Sequence, residues 1–226
     1  MRPLRIDLAV ADERETFGST NPVASLIDAF GAYCAICERP TRERLFAWDP
    51  RTGATVTNTA DLEVATLLPL CVTCRDAQLG STTELGVLAL PISQLGVGIR
   101  PPWLFEVDRH ADLQAGELAP EAAEATIRHF RLNADDDDPR RMHRARALAA
   151  ARRAAAKWDF EGSADLDTLA ELMTVTGFLS VWIDALYGQF VRTEPILELL
   201  ERGRESAPEF FPGTDWAALA VEAQNA

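Results

Sequence analysis

The sequence predicts an α+β fold, mainly α, in which a small metal-stapled module of short strands is embedded in a helical chain. Two Cys-x-x-Cys pairs, Cys34/Cys37 and Cys71/Cys74, bracket an insertion of hairpin size that contains β-compatible pieces. From Pro120 onward, apolar residues recur at helical spacing. The 226 residues, 47% hydrophobic and 25% charged, suffice for one core with a small satellite and exclude a disordered or fibrous chain.

In chain order, the segment to Thr20 has no clear period and reads as an irregular arm. Asn21 and Pro22 then offer a cap and a first turn to a helix with Val23, Leu26, Ile27 and Phe30 on its buried stripe, ending at Gly31. Arg44 to Trp48 and Ala54 to Thr59 are strand-compatible, with Asp49-Pro50-Arg51-Thr52-Gly53 as the turn between them. Leu67 to Leu70 leads into the second cysteine pair. Leu85 to Trp103 reads as loop with short strands, and Trp103 to Val107 is the best strand there. Helices follow from Pro120 to Leu132 and from Arg140 to about Trp158, the latter preceded by acidic residues, Asp135 to Asp138, that complement its macrodipole. Ser163 or Asp165 caps the next helix, which carries Leu166, Leu169, Leu172 and Met173 on one side and bends at Gly177. A shorter helix from Thr193 to Arg202 and a last one after Phe211-Pro212-Gly213-Thr214-Asp215 complete the chain. This divides it into an N-terminal arm and helix (1–33), a four-cysteine zinc module (34–80) and a mainly helical C-terminal region packed on it (81–226).

With 22 Lys and Arg against 35 Asp and Glu, the net charge is −13. Phosphate neutralisation supplies most nucleic-acid affinity, so the isolated chain is expected to bind nucleic acid weakly at most. No secretory leader or membrane span is legible, and the expectation is a cytoplasmic protein. In a reducing compartment, four cysteines in two Cys-x-x-Cys turns point to one structural Zn2+ held by Cys34, Cys37, Cys71 and Cys74. A redox role is the weaker reading, because neither pair lies between an obvious strand and helix of a βαβ unit.

The helix into Tyr33-Cys34-Ala35-Ile36-Cys37-Glu38-Arg39, followed by Leu67-Leu68-Pro69-Leu70-Cys71-Val72-Thr73-Cys74, resembles the zinc-stapled HNH endonucleases. It is most similar to the bacterial branch that includes the nuclease subunit of Septu-type anti-phage systems. Met1-Arg2-Pro3-Leu4, the segment Ala125 to Asn133, the Arg-rich helix after it, Gly177 to Ile183 and Phe211 to Thr214 extend the likeness over most of the chain. The resemblance implies a ββα-metal module, divalent-metal-dependent DNA cleavage, and a partner such as an ATPase or another effector encoded nearby.

Cleavage of that kind needs a histidine base and a His, Asp or Asn set that holds the metal against the phosphate. Between Glu38 and Leu70 there is no histidine. Aligning Pro50 with the family's proline puts Phe46 and Ala47 at its catalytic pair, Thr66 at its asparagine, and Arg75 at the position after the fourth cysteine. Asp49, Asp61 and Glu63 are the remaining carboxylates there, and solvation is their ordinary state. The three histidines, His110, His129 and His143, all lie downstream. His129 on a helix reads as a hydrogen-bonded structural residue and His143 as solvated. His110, after Asp108-Arg109 in a loop, is the one worth testing in a rebuilt centre. The expectation is therefore no catalytic residue and a catalytically degenerate HNH-like scaffold or regulatory subunit of a defence complex. The alternative is a nuclease with a rearranged site.

Arg140, Arg141, Arg144 and Arg152 form one stripe of the basic helix and Arg146, Arg153 and Lys157 another. The first stripe is the candidate nucleic-acid or partner surface; its bland counterpart is a surface helix paired with the chain's carboxylates. Trp182, Phe211 and Trp216 are candidate contact aromatics, with burial in the core as the simpler expectation.

Overall fold

A computed structural model describes residues 22–41, 44–56, 67–88, 105–116, 119–134, 137–161, 166–182 and 185. The N-terminal arm, the Asn21 cap, Asp61, Glu63, Thr66, Trp103, Leu104, Asp135, Asp136, Ser163, Asp165 and everything after residue 185, including Phe211 and Trp216, lie outside the described residues.

The described chain is mixed α and β, with two small sheets. Helix α1 (Pro22–Phe30) ends where the Gly31 N–H donates to the Ile27 carbonyl at 2.8 Å. Leu26 is buried, whereas Ile27 is partly exposed. Strand β1 (Leu45–Trp48) lies between β2 (Thr55–Val56) and β3 (Leu68–Cys71), antiparallel to both. The turn from β1 to β2 closes through Asp49 and Gly53. The Asp49 N–H donates to the Ala54 carbonyl, the Gly53 N–H to the Asp49 carbonyl, and Gly53 takes the left-handed backbone (φ 73°) that such turns reserve for glycine. Pro69 interrupts no ladder in the middle of the sheet, because β3 is at its edge.

Helix α2 (Val72–Leu79) follows β3 without a loop. A short 3-10 turn (Leu85–Val87) leads on to β4 (Phe105–Val107) and β5 (Leu113–Ala115), an antiparallel hairpin. The sequence reading finds β4, within Trp103 to Val107, and misses β5, whose Leu113-Gln114-Ala115 carries no β-branched or aromatic residue to mark a strand. Asn133 ties that strand to the following helical layer: its amide accepts from the Leu113 N–H at 2.8 Å and donates to the Leu113 carbonyl at 2.6 Å, as a neighbouring strand would. Helices α3 (Pro120–His129), α4 (Pro139–Glu161) and α5 (Leu166–Thr176) follow, and α5 packs on α4. Asp138 caps α4, its carboxylate accepting from the Arg140 N–H at 2.7 Å.

Among the described residues, a core cluster joins α1, the three-stranded sheet, the β4–β5 hairpin and α3, from Leu26 through Leu45, Trp48 and Leu70 to Phe130 and Leu132. Trp48 and Phe130 meet edge to face at 5.6 Å and are both buried. Trp182 is fully buried too, so it belongs to the interior and not to a contact surface. No helix among the described residues is long and apolar enough to cross a membrane.

Candidate metal centre

The first cysteine pair sits in a knuckle after α1. The Glu38 N–H donates to the Cys34 carbonyl and the Cys34 N–H to the Arg39 carbonyl, so the chain turns tightly around the two thiols, with Glu38 left-handed at φ 56°. The Ala35 N–H donates to the Pro69 carbonyl at 2.8 Å, which fastens this knuckle to β3. The second pair straddles the junction of β3 and α2: Cys71 ends the strand and caps the helix, its sulfur accepting from the Cys74 N–H at 3.5 Å. That pair does lie between a strand and a helix, which the sequence does not reveal. The sheet is antiparallel, however, so no βαβ unit is present among the described residues.

These two turns bring together four buried thiols whose sulfurs all lie within 4.8 Å of one another. Cys37 and Cys71 are 3.9 Å apart. A disulfide needs about 2.05 Å. Sulfurs about 2.3 Å from one tetrahedral ion stand about 3.8 Å apart, so the spacing is that of ligands around an ion and not of a bridge. All four cysteines are free. The same closeness sets their protonation. Hydrogen bonds from Cys34, Cys37 and Cys74 hold the Cys71 thiol well below its ordinary range. The bond with Cys34 pushes Cys37 up, and burial pushes Cys74 up. Four buried thiols this close cannot all ionise unless a cation joins them. Among the described residues, no other group of His, Cys, Asp or Glu is arranged to hold a metal.

The basic helix does not present the surface that its arginine stripe suggests. Arg140 is 2% exposed and Arg144 1%, so neither faces solvent. Arg140 Nη1 donates to the Phe130 carbonyl at 2.7 Å and to Cys74 Sγ at 3.5 Å; Nη2 donates to the Arg131 carbonyl at 2.7 Å and to Asp138 at 2.6 Å. Arg144 donates to the carbonyls of Ala111 at 2.5 Å and Leu132 at 2.9 Å, and to the Asn133 side chain at 3.1 Å. The backbone acceptors are carbonyls where α3 ends and where the β4–β5 hairpin turns, and that of Arg131 also accepts from the Ala134 N–H at 3.2 Å. Arg131 and Ala111 are themselves left-handed, at φ 49° and 66°. Burial opposes the charge on Arg140, yet Asp138 and Cys74 raise its guanidinium above the usual range. Burial pushes Arg144 down to about 10, which leaves it protonated at neutral pH. Arg141 is bound to Asp112 at 2.7 Å, and only Arg152 of the four is exposed.

At the two positions that the sequence resemblance aligns with a catalytic pair, Ala47 is fully buried, and the Phe46 ring carries the guanidiniums of Arg75 and Arg44 at 4.0 and 5.0 Å. Arg75 is also paired with Asp76. Asp49 is buried rather than solvated: burial would raise its carboxyl, but the Arg51 side chain and N–H outweigh this and hold it low. His110 lies exposed in the β4–β5 turn, where its Nε2 accepts from Arg109 Nε at 2.9 Å. His143 is half-buried instead of solvated, and burial lowers its pKa, with Arg39 and Arg146 adding to the effect. His129 is buried as expected, but among the described residues neither ring nitrogen has a hydrogen-bond partner; it packs edge-on to Phe130 at 4.7 Å, and desolvation lowers its pKa.

The fold and the site thus define a mixed α and β chain with four buried cysteines placed to hold one metal ion. No family model, no curated protein and no solved structure matches the chain.

Proposed function

We propose that the chain is a zinc-stabilised, HNH-like protein without a nuclease centre, acting by binding as a scaffold or regulatory subunit of a bacterial anti-phage defence complex. An all-thiolate, closed, buried ligand set suits zinc in a structural role, since a catalytic zinc keeps one position open. A three-stranded antiparallel sheet running straight into a helix, with cysteines at the junction, supports the resemblance to a ββα-metal module. The observation that carries the loss of catalysis is the packing at Phe46 and Ala47. There a buried methyl and an aromatic ring under two arginines stand where a base and metal ligands would be needed.

The partner in this reading is a protein, such as an ATPase or effector encoded nearby. The test is a Mg2+- or Mn2+-dependent nuclease assay on zinc-loaded chain, alone and with its operon neighbours. No cleavage by the chain, together with co-purification of a neighbour, is expected. DNA cleavage abolished by substitutions in this chain overturns the reading in favour of a rearranged nuclease.

A further inference from the structure

We propose that Arg140 is an outer-shell residue of the four-cysteine centre, and that its contact with Cys74 couples metal occupancy to the seating of helix α4. The inference rests on the metal-binding reading above. A divalent ion with four thiolates carries a net charge of about −2, buried here in an apolar core. Such a charge needs a counter-charge or donors within reach.

The first turns of α4 supply both. Arg140 points Nη1 at Cys74 Sγ (3.5 Å) while Asp138 and the Phe130 and Arg131 carbonyls hold the rest of its guanidinium. Arg144, one turn on, is equally buried. Among the described residues, the other acceptors of Arg140 lie on α4's own cap or on the turn after α3, so the sulfur contact links this layer to the centre. Donors to metal-bound thiolates and imidazoles orient the ligand and tune its basicity, and their loss costs about 10–100-fold in metal affinity. Coupling of this kind is reciprocal: whatever α4 contributes to metal affinity, the metal returns as stability of α4.

Cobalt(II) titration of the full chain, with a chromophoric chelator in competition, tests this. The variants are R140M, R140K and R141M, the last altering an arginine that pairs with Asp112 outside the centre. We expect R140M to weaken cobalt binding by about 10–100-fold and to shift the thiolate-to-cobalt charge-transfer band. R140K should recover part of both, and R141M neither. Wild-type affinity and spectrum in a folded R140M overturn the coupling while leaving the metal site intact. A wild-type chain that binds no cobalt overturns the metal-binding reading itself. Should R140M not fold, R140K decides: a cobalt affinity and charge-transfer band that both equal those of the wild type overturn the inference, and a loss in both supports it.

Discussion

Substituting Gly177 by alanine is a quantitative test of how the helical layer meets the first cysteine knuckle. Gly177 ends α5 with its N–H donating to the Met173 carbonyl and its backbone left-handed at φ 68°. From there the Phe178 N–H reaches the Glu38 carbonyl at 3.3 Å and the Ser180 N–H reaches the Glu38 carboxylate at 3.0 Å. A Cβ at residue 177 would stand 2.2 Å from Pro40 Cδ and 3.0 Å from the Glu38 carbonyl oxygen. A proline ring cannot swing aside as a flexible side chain would. The left-handed backbone costs a non-glycine residue about 1–2 kcal/mol, and overpacking adds about 1–3 kcal/mol, so G177A should lose about 2–5 kcal/mol. For a chain of this size that is a fall in Tm of about 5–15 °C. The control is G86A in the 3-10 turn, where a Cβ meets nothing within 4 Å. It should stay within about 0.5 kcal/mol of wild type. Scanning calorimetry at fixed pH and metal concentration reads both. A G177A melt that overlays wild type, or a G86A melt as low as that of G177A, refutes the docking argument.

Other outcomes follow from the same geometry. W48A removes a fully buried ring that meets Phe130, and should cost about 3–5 kcal/mol in denaturant titration; a loss under about 1 kcal/mol contradicts its place in the core. His129 is buried with its pKa lowered, so below about pH 6.5 the unfolded chain binds a proton that the folded chain excludes. Its contribution is thus present above that pH and is lost as the pH falls. The wild-type Tm should therefore drop faster than that of H129L between pH 7 and 5.5, with a stability difference of at most about 1.4 kcal/mol per pH unit; parallel curves contradict the assignment. Arg152 is exposed while Arg140 and Arg144 are buried, so R152A should leave the fold unchanged. Its Tm should move by no more than about 2 °C, and a large loss shows an unrecognised buried contact.

The cysteine centre is the part of this molecule most legible in the sequence, because ligand type and Cys-x-x-Cys spacing are local properties. So are the strands β1 and β2, their turn at Asp49 to Gly53, and the break at Gly177, which the sequence reads as a bend and which ends α5 in the structure. The arginines are the opposite case. On a helical wheel Arg140 and Arg144 fall beside Arg141 and Arg152, and nothing local separates the buried pair from the others. Their burial depends on carbonyls at Phe130, Arg131, Leu132 and Ala111, which come within reach only once α3 ends and the β4–β5 hairpin closes. That His129 has no hydrogen-bond partner among the described residues is hidden for the same reason: a helix pattern shows which face is buried and not which donors lie across from it. The Glu38 contacts join residues far apart in sequence, so the sharp turn at Glu38 is visible locally only as a Cys-x-x-Cys-Glu-Arg string.

If Cys34, Cys37, Cys71 and Cys74 bind one zinc ion that holds this fold together, native mass spectrometry of the chain, with zinc quantified in the same sample, should find one zinc per chain and four thiols shielded from alkylation. The C74S variant should lose the ion and the cooperative melt, because structural zinc contributes about 10–16 kcal/mol where whole domains are stable by about 5–15 kcal/mol. A folded, metal-free wild-type chain with four reactive thiols, or with a disulfide in their place, contradicts it.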